Sequence, residues 1–469
     1  MIHIHRLLPL FLSLLPGASF AHAAQEPAAG KRPPYAFLRQ NEDWSEFGPA
    51  DPALDRFDPI KHMDLSHDGD VWIGLGGRLE SRLEVWRDFG FGPPPGGDND
   101  DSFVLSRALV HADLHAGERF RLFVEGKSAQ ATERDLPGGR RASDMDTLDL
   151  QEAFVDLVLP LGDSSLTLRP GRQMLLMGAQ RLVSPLPWGN TLRAWDGVSA
   201  EWRGGGWSLT GLATAFVPVD KTDFNEANED ITLFGLYARR APAGGHGLEL
   251  YALGNERPAV TVNGTSGDEE RQTLGARGWG PMSARSDYEV EGAWQTGEVG
   301  AGDVQAWTLA AQAGWKPEGL IGAPRFFLGL DLASGDDAPG GDVGTFHQLF
   351  PLGHAYFGYV DAIGRQNISD VAVGGKWRID DSSGFSLALH SFRLMETADA
   401  LYDAGGAPYR SGFDSKDVGM ELDALVERSF GRHAQGYAGY SRFFAGDAIE
   451  QTGPGEDVDF LYLGLKYTF

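Results

Sequence analysis

The sequence predicts an all-β membrane protein, a transmembrane antiparallel β-barrel of about 18 strands with long extracellular loops and short periplasmic turns. Three observations carry that expectation. Apolar and polar residues alternate with period two along most of the chain, and sustained helical periodicity is missing. No segment after the N-terminus approaches the 18 or so consecutive apolar residues of a spanning helix. The chain ends on Leu461, Leu463, Leu465, Tyr467 and Phe469, alternating with Gly464, Lys466 and Thr468, which reads as a closing barrel strand.

Composition agrees. The chain has 469 residues and 63 glycines, about twice the usual ~7% share. Forty basic residues against 66 acidic ones leave a net charge of −26, which argues against nucleic-acid binding. Cysteine is absent, so disulfide frameworks and cysteine-ligated metals are excluded.

The N-terminus reads as a secretory signal over residues 1–23. Arg6 precedes an apolar run from Leu7 to Leu15, Pro16 and Gly17 break it, and Ala21 and Ala23 supply small residues before the expected cleavage. Residues 24–70 are proline-punctuated and irregular, and are expected to form a periplasmic N-terminal segment. From Val71 to the end at 469 the strand pattern takes over. Val71, Ile73, Leu75, Leu79, Leu83 and Val85 share one face, and Arg78, Glu80, Arg82 and Glu84 share the other. The pattern recurs at Phe120–Glu125, Leu166–Arg169, Leu248–Tyr251, Tyr288–Glu291, Leu328–Leu332 and Val418–Glu427. Leu330 is expected to face lipid and Gly329 the lumen. Connections alternate between short ones, such as Ala116–Glu118, and long ones, such as Leu136–Asp146, Ser334–Gly344 and Asp399–Asp414. The stretch Thr345–Asn367 fits no strand and reads as a gate or plug.

The usual signatures of catalysis are missing: no Walker A run, no G-x-S-x-G and no H-E-x-x-H. Glu289 and Glu291 share a strand face, as sheet acids commonly do without catalysis. His111 and His115 share a face but lack a third ligand, and the acids at 98–101 and 336–337 lack the remainder of a calcium loop. Neither a metal nor a cofactor is expected, and no enzyme activity. Arginine is the more informative residue, with 32 arginines against 8 lysines. Arg78, Arg82, Arg107 and Arg169 lie on polar strand faces, where planar guanidinium forks suit carboxylates. They could equally pair with lumen acids such as Glu80, Glu84 and Asp331.

Several stretches resemble the bacterial alginate-export porin family, in the family's order: Arg32-Pro33-Pro34-Tyr35, Asn41–Ser45, Arg107–His115, Gly171-Arg172-Gln173, Gln180–Ser184, Arg193–Val198, Ala333–Asp336, Phe350–Tyr359, Gly364–Asn367 and Asp399–Gly406. The resemblance covers nearly all of residues 32–469. It implies a monomeric barrel in the outer membrane of a Gram-negative bacterium, set in lipid and lipopolysaccharide. It also implies passage of an anionic polysaccharide through an arginine-bearing constriction, with gating loops and periplasmic polysaccharide-secretion components as partners. On this reading Arg172, Arg193, Arg365 and Asp196 join Arg78, Arg82, Arg107, Arg169 and Glu84 along the substrate path. His354, Tyr356 and Tyr359 are the candidate gate. The alternatives are a general uptake porin for small acidic solutes and, from another class, a barrel enzyme acting on lipid or glycan.

Overall fold

The computed structural model describes residues 32–47, 55–93 and 98–469. The expected signal segment, residues 1–23, lies outside the described residues. Eighteen antiparallel strands close into one barrel. The first six are β1 (Val71–Arg87), β2 (Asp101–Ala116), β3 (Phe120–Ala131), β4 (Asp146–Leu161), β5 (Ser164–Gln173) and β6 (Ala194–Gly204). Then come β7 (Trp207–Val217), β8 (Asn228–Ala243), β9 (His246–Val262), β10 (Thr265–Ser283), β11 (Ser286–Val299) and β12 (Gly302–Trp315). The last six are β13 (Arg325–Ala333), β14 (Ile368–Arg378), β15 (Ser383–Leu394), β16 (Asp417–Phe430), β17 (Ala434–Ala445) and β18 (Val458–Thr468). Each strand pairs with its neighbours in sequence, and β1 pairs with β18 from Arg78 opposite Thr468 to Arg87 opposite Asp459, which removes both sheet edges. No described helix is long and apolar enough to cross a membrane.

The alternation sets the faces as expected. On β1, Leu79 is 46% exposed, whereas Glu80 and Arg82 are 8% and 5% exposed. Leu461, Leu463 and Leu465 of β18 point outward, while Phe460 and Tyr462 are buried inward. Aromatic rings that lie along the wall explain part of the glycine excess. A Cβ added to Gly439 would meet the Tyr462 ring at 2.0 Å, and one on Gly464 would meet the Tyr437 ring at the same distance.

The two ends of the barrel differ. One carries the short turns 117–119, 162–163, 205–206, 244–245, 284–285, 379–382 and 431–433, with the longer 316–324. The other carries the long connections 88–100, 132–145, 174–193, 218–227, 334–367, 395–416 and 446–457, and two tight turns at 263–264 and 300–301.

Polar wall residues are buried because the lumen is filled. From the turn end the segment 35–42 enters the barrel: Arg39 Nη1 donates to Gly77 O at 3.2 Å, and Gln40 Nε2 donates to Glu152 Oε1 at 3.0 Å. Phe37 and Leu38 pack on Leu109, Met174 and Leu192. From the loop end the 174–193 and 334–367 connections fold inward and join. Val183 bridges Phe350, with Ser184 N to Phe350 O at 2.9 Å and Phe350 N to Leu182 O at 2.8 Å. An apolar cluster that includes Phe346, Phe357, Ile363, Leu401 and Phe443 holds these loops together.

Candidate functional site

The inward faces of β1 and β2 bring Arg78, Glu80, Arg82, Glu84 and Arg107 together. Arg107 Nη2 is 2.5 Å from Glu80 Oε2, and Arg82 Nε is 2.8 Å from Glu84 Oε1. Their remaining N–H groups hold the 174–193 loop by its backbone. Arg82 Nη1 donates to Trp188 O at 3.0 Å and Arg107 Nη1 to Gly189 O at 2.5 Å. Lys127 on β3 adds a bond to Thr191 O at 3.0 Å. These wall cations clamp a loop as well as meeting wall acids. Arg78 differs: its Cζ sits 4.7 Å over the Phe37 ring, and its Nε and Nη2 are buried without a hydrogen-bond partner among the described residues.

The other expected residues separate into distinct groups. Arg169 forms two bonds to Asp156, at 2.6 and 2.7 Å. Arg172 grips Asp196 at 2.7 and 2.8 Å and is tied to Asn225 O of the 218–227 connection at 2.9 Å. Arg193 Nη1 donates to Pro351 O at 2.8 Å and so joins the two inward loops. Arg365 Nη1 lies 2.5 and 2.6 Å from the two oxygens of Asp331.

The three gate candidates lie inside the barrel, where the loops meet the wall. Arg82 Cζ is 3.7 Å over the Trp188 ring. Trp188 stacks on His354 at 3.8 Å and 11°, and His354 stacks on Tyr359 at 4.6 Å. Tyr462 meets Trp188 edge-on at 5.1 Å. His354 Nδ1 is held by Asp361 Oδ2 at 2.9 Å. Tyr356 donates its hydroxyl to Ala179 O and lies 4.5 Å from Arg181 Cζ. One stacked column therefore runs from the β1 wall through both loops. Beside it is a cavity of about 110 Å³ lined by Arg181, Arg325, Asp331, Lys376, His390 and Asp423 as well as by Tyr356 and Tyr359.

Sequence reasoning did not single out Trp188, Arg181, Lys127 or Arg271. Arg181 pairs with Glu289 and lies 3.0 Å from Glu291, which gives those two acids a structural partner. Its one signal in the sequence was its place in the Gln180–Ser184 stretch. Trp188, between Pro187 and Gly189, had none beyond being an aromatic in an unpatterned segment. Among the described residues no His, Asp or Glu group has the geometry of a metal site, and His111 and His115 meet Glu125 and Asp113 instead.

Residues 71–460 match the family described as Alginate export. The chain belongs to that family. Solved structures with the same barrel include Pseudomonas aeruginosa OccK11 (OpdR), at 12% identity and TM-score 0.56, covering 84% of this chain and 95% of that one. Acinetobacter baumannii OccAB2 is similar at 13% identity and TM-score 0.55, covering 84% and 98%. The outer membrane protein OpdK of Pseudomonas aeruginosa is similar at 11% identity and TM-score 0.55, with the same coverage. No curated protein matches the chain by sequence. Family and fold together make this alginate-export member an outer-membrane channel of a bacterial cell.

Proposed function

We propose that the protein conducts an acidic polysaccharide, a uronic-acid polymer of the alginate class, out of the cell as a monomeric barrel. The observation that carries this is the column of Arg82, Trp188, His354 and Tyr359 across the lumen. A uronate offers a ring face and a carboxylate. Flat side chains stack on the first, and guanidinium N–H groups replace the water lost by the second. Neighbouring acids such as Glu84 and Asp361 compete for the same donors and keep each hold weak enough for release. In this arrangement the column is closed on itself, so transport requires the joined 174–193 and 334–367 loops to shift, with His354, Tyr356 and Tyr359 moving as the gate. The stretch expected to be a periplasmic segment instead sends residues 35–42 into the lumen, so it acts from within the turn end, where secretion components would meet the channel.

The test is the reversal potential across a salt gradient, together with current block by oligouronates in planar bilayers. Wild type is expected to prefer anions and to be blocked by oligouronates. Arg82→Glu should shift the preference toward cations, and Trp188→Ala should weaken the block. A cation-selective wild type would overturn the reading. A second reading, diffusion of small acidic solutes, draws on the cavity of about 110 Å³, which is small for a sugar chain. Block by monouronates equal to block by oligouronates would favour it.

A further inference from the structure

A second cavity, of about 70 Å³, lies at the loop end, between the β9–β10 wall and the inward-folded 334–367 and 395–416 connections. Arg257, Arg271, Thr345, His347, Gln366 and Tyr402 line it. Its donors outnumber the acceptors that meet them. Arg257 Nε and Arg271 Nε donate to the two oxygens of one carboxylate, Glu269, at 2.6 and 2.9 Å. Arg271 Nη1 is spent on Gln295 Oε1 at 2.9 Å and on Thr345 O at 3.0 Å. Arg271 Nη2 has no partner among the described residues, although the side chain is fully buried. His347 Nδ1 is also buried without one. The nearby carboxylate of Asp399 is occupied by the Thr345 and Tyr402 hydroxyls, at 2.6 and 2.8 Å. Two guanidinium groups thus share one acid, and two ring or guanidinium nitrogens are left over. A buried N–H without an acceptor is costly, and such groups are normally satisfied by water or a ligand.

We propose that this cavity is a carboxylate-binding subsite at the extracellular mouth. Arg257 and Arg271 supply the charge and Arg271 Nη2 supplies a free donor, with the unpartnered His347 Nδ1 beside it. The volume admits a few waters or a carboxylate group, not a sugar ring as well. The ligand therefore enters by its acid group alone, past Arg257, which is half-buried at the rim. The shared chemistry is a single carboxylate, carried either by a small free acid or by a uronate of the exported chain. The second source rests on the polysaccharide reading; the subsite itself does not.

The experiment is calorimetric titration of the full barrel in detergent with glucuronate, acetate and, as a neutral control, glucose. Glucuronate and acetate should bind and glucose should not. Tighter glucuronate than acetate points to a sugar acid, and equal affinities point to a free carboxylate. Arg257→Gln should weaken carboxylate binding tenfold or more. Heat-modifiable migration on gels verifies that the variant is folded, and Arg257→Lys should restore part of the affinity. No carboxylate binding by wild type, binding of glucose alongside glucuronate, or unchanged affinity in folded Arg257→Gln overturns the subsite. The wild-type reversal potential, measured in the same preparation, judges the channel reading separately. Anion selectivity with unchanged Arg257→Gln binding removes the subsite and leaves the channel.

Discussion

Leu330 and Gly329 are neighbours in the chain and face different media. Leu330 is 38% exposed on the outer wall, and a Cβ on Gly329 would meet nothing closer than the Ala372 Cβ at 3.6 Å. Leu330→Arg should therefore cost about 2–4 kcal/mol near the midplane, read as lost folded yield in lipid, while Gly329→Ser assembles normally. The reverse result would invert the assignment of faces. Arg365 makes the complementary case inside the barrel. Its pair with Asp331 is buried, so Arg365→Ala leaves a carboxylate without its cation, at a cost of about 3–5 kcal/mol. A urea midpoint that does not move would show that lumen water hydrates Asp331 as well as the arginine does. Period two was enough to assign the face of Arg82 or Leu330 from the sequence. It could not supply the partners. Glu80 and Arg107 meet only through the β1–β2 register, and Arg365 reaches Asp331 only because a loop folds back.

At the scale of elements, strands were legible and inward loops were not. A strand declares itself in five or six residues, because each side chain faces one of two media. A loop folded into a lumen meets wall, neighbouring loop and cavity in no fixed period. Thr345–Asn367 stood out only as unassignable, and 174–193 did not stand out. The structure shows both apolar packing and stacking in the first of these. Phe346, Phe357 and Ile363 are fully buried, while His354 and Tyr359 join the Trp188 column. Shortening the 334–367 connection should raise single-channel conductance, and an unchanged value would remove it as an obstruction. Its seat also depends on pH. Burial pushes the His347 imidazole well below its ordinary range, and Arg257 and Arg271 push the same way, against Glu269. The folded loop thus prefers neutral His347. Its stabilisation is complete above the ordinary histidine value, about 6.5, and declines as pH falls below that value. Once the intrinsic slowing of amide exchange at lower pH is divided out, protection of the amides in residues 344–350 should fall between pH 7 and pH 5 in wild type and stay level in His347→Gln.

For the whole molecule, the decisive joint is the seam where the last strand meets the first. A barrel has no edges only while β1 and β18 stay paired, and the chain reinforces this at the turn end. Gly77 N donates to Phe469 O at 2.9 Å, and Phe469 N donates to Gly77 O at 2.9 Å. Arg39 Nη2, from the segment inside the lumen, adds a third bond to Phe469 O at 3.1 Å. The Phe469 ring packs on Phe57 at 5.0 Å, so the N-terminal segment and the C-terminus hold each other. The terminal aromatic was visible in the sequence. Its tie to Arg39 and Phe57 was not, because some 400 residues separate them and no local pattern links the two ends. Two variants separate closure from plugging. Removing Phe469 deletes both backbone bonds to Gly77 and the ring contact, so the heat-modifiable form on gels should fall sharply. Arg39→Ala removes only the bond from the plug, along with its contacts to Gly77 O and Glu42. The barrel should then still form and migrate as a heat-modifiable species, with higher conductance because segment 35–42 is less firmly seated. Equal folded yields for the Phe469 deletion and wild type would mean that the seam closes without the last residue. Equal conductance for Arg39→Ala and wild type would mean that Gln40 and Phe37 suffice to hold the segment in the lumen.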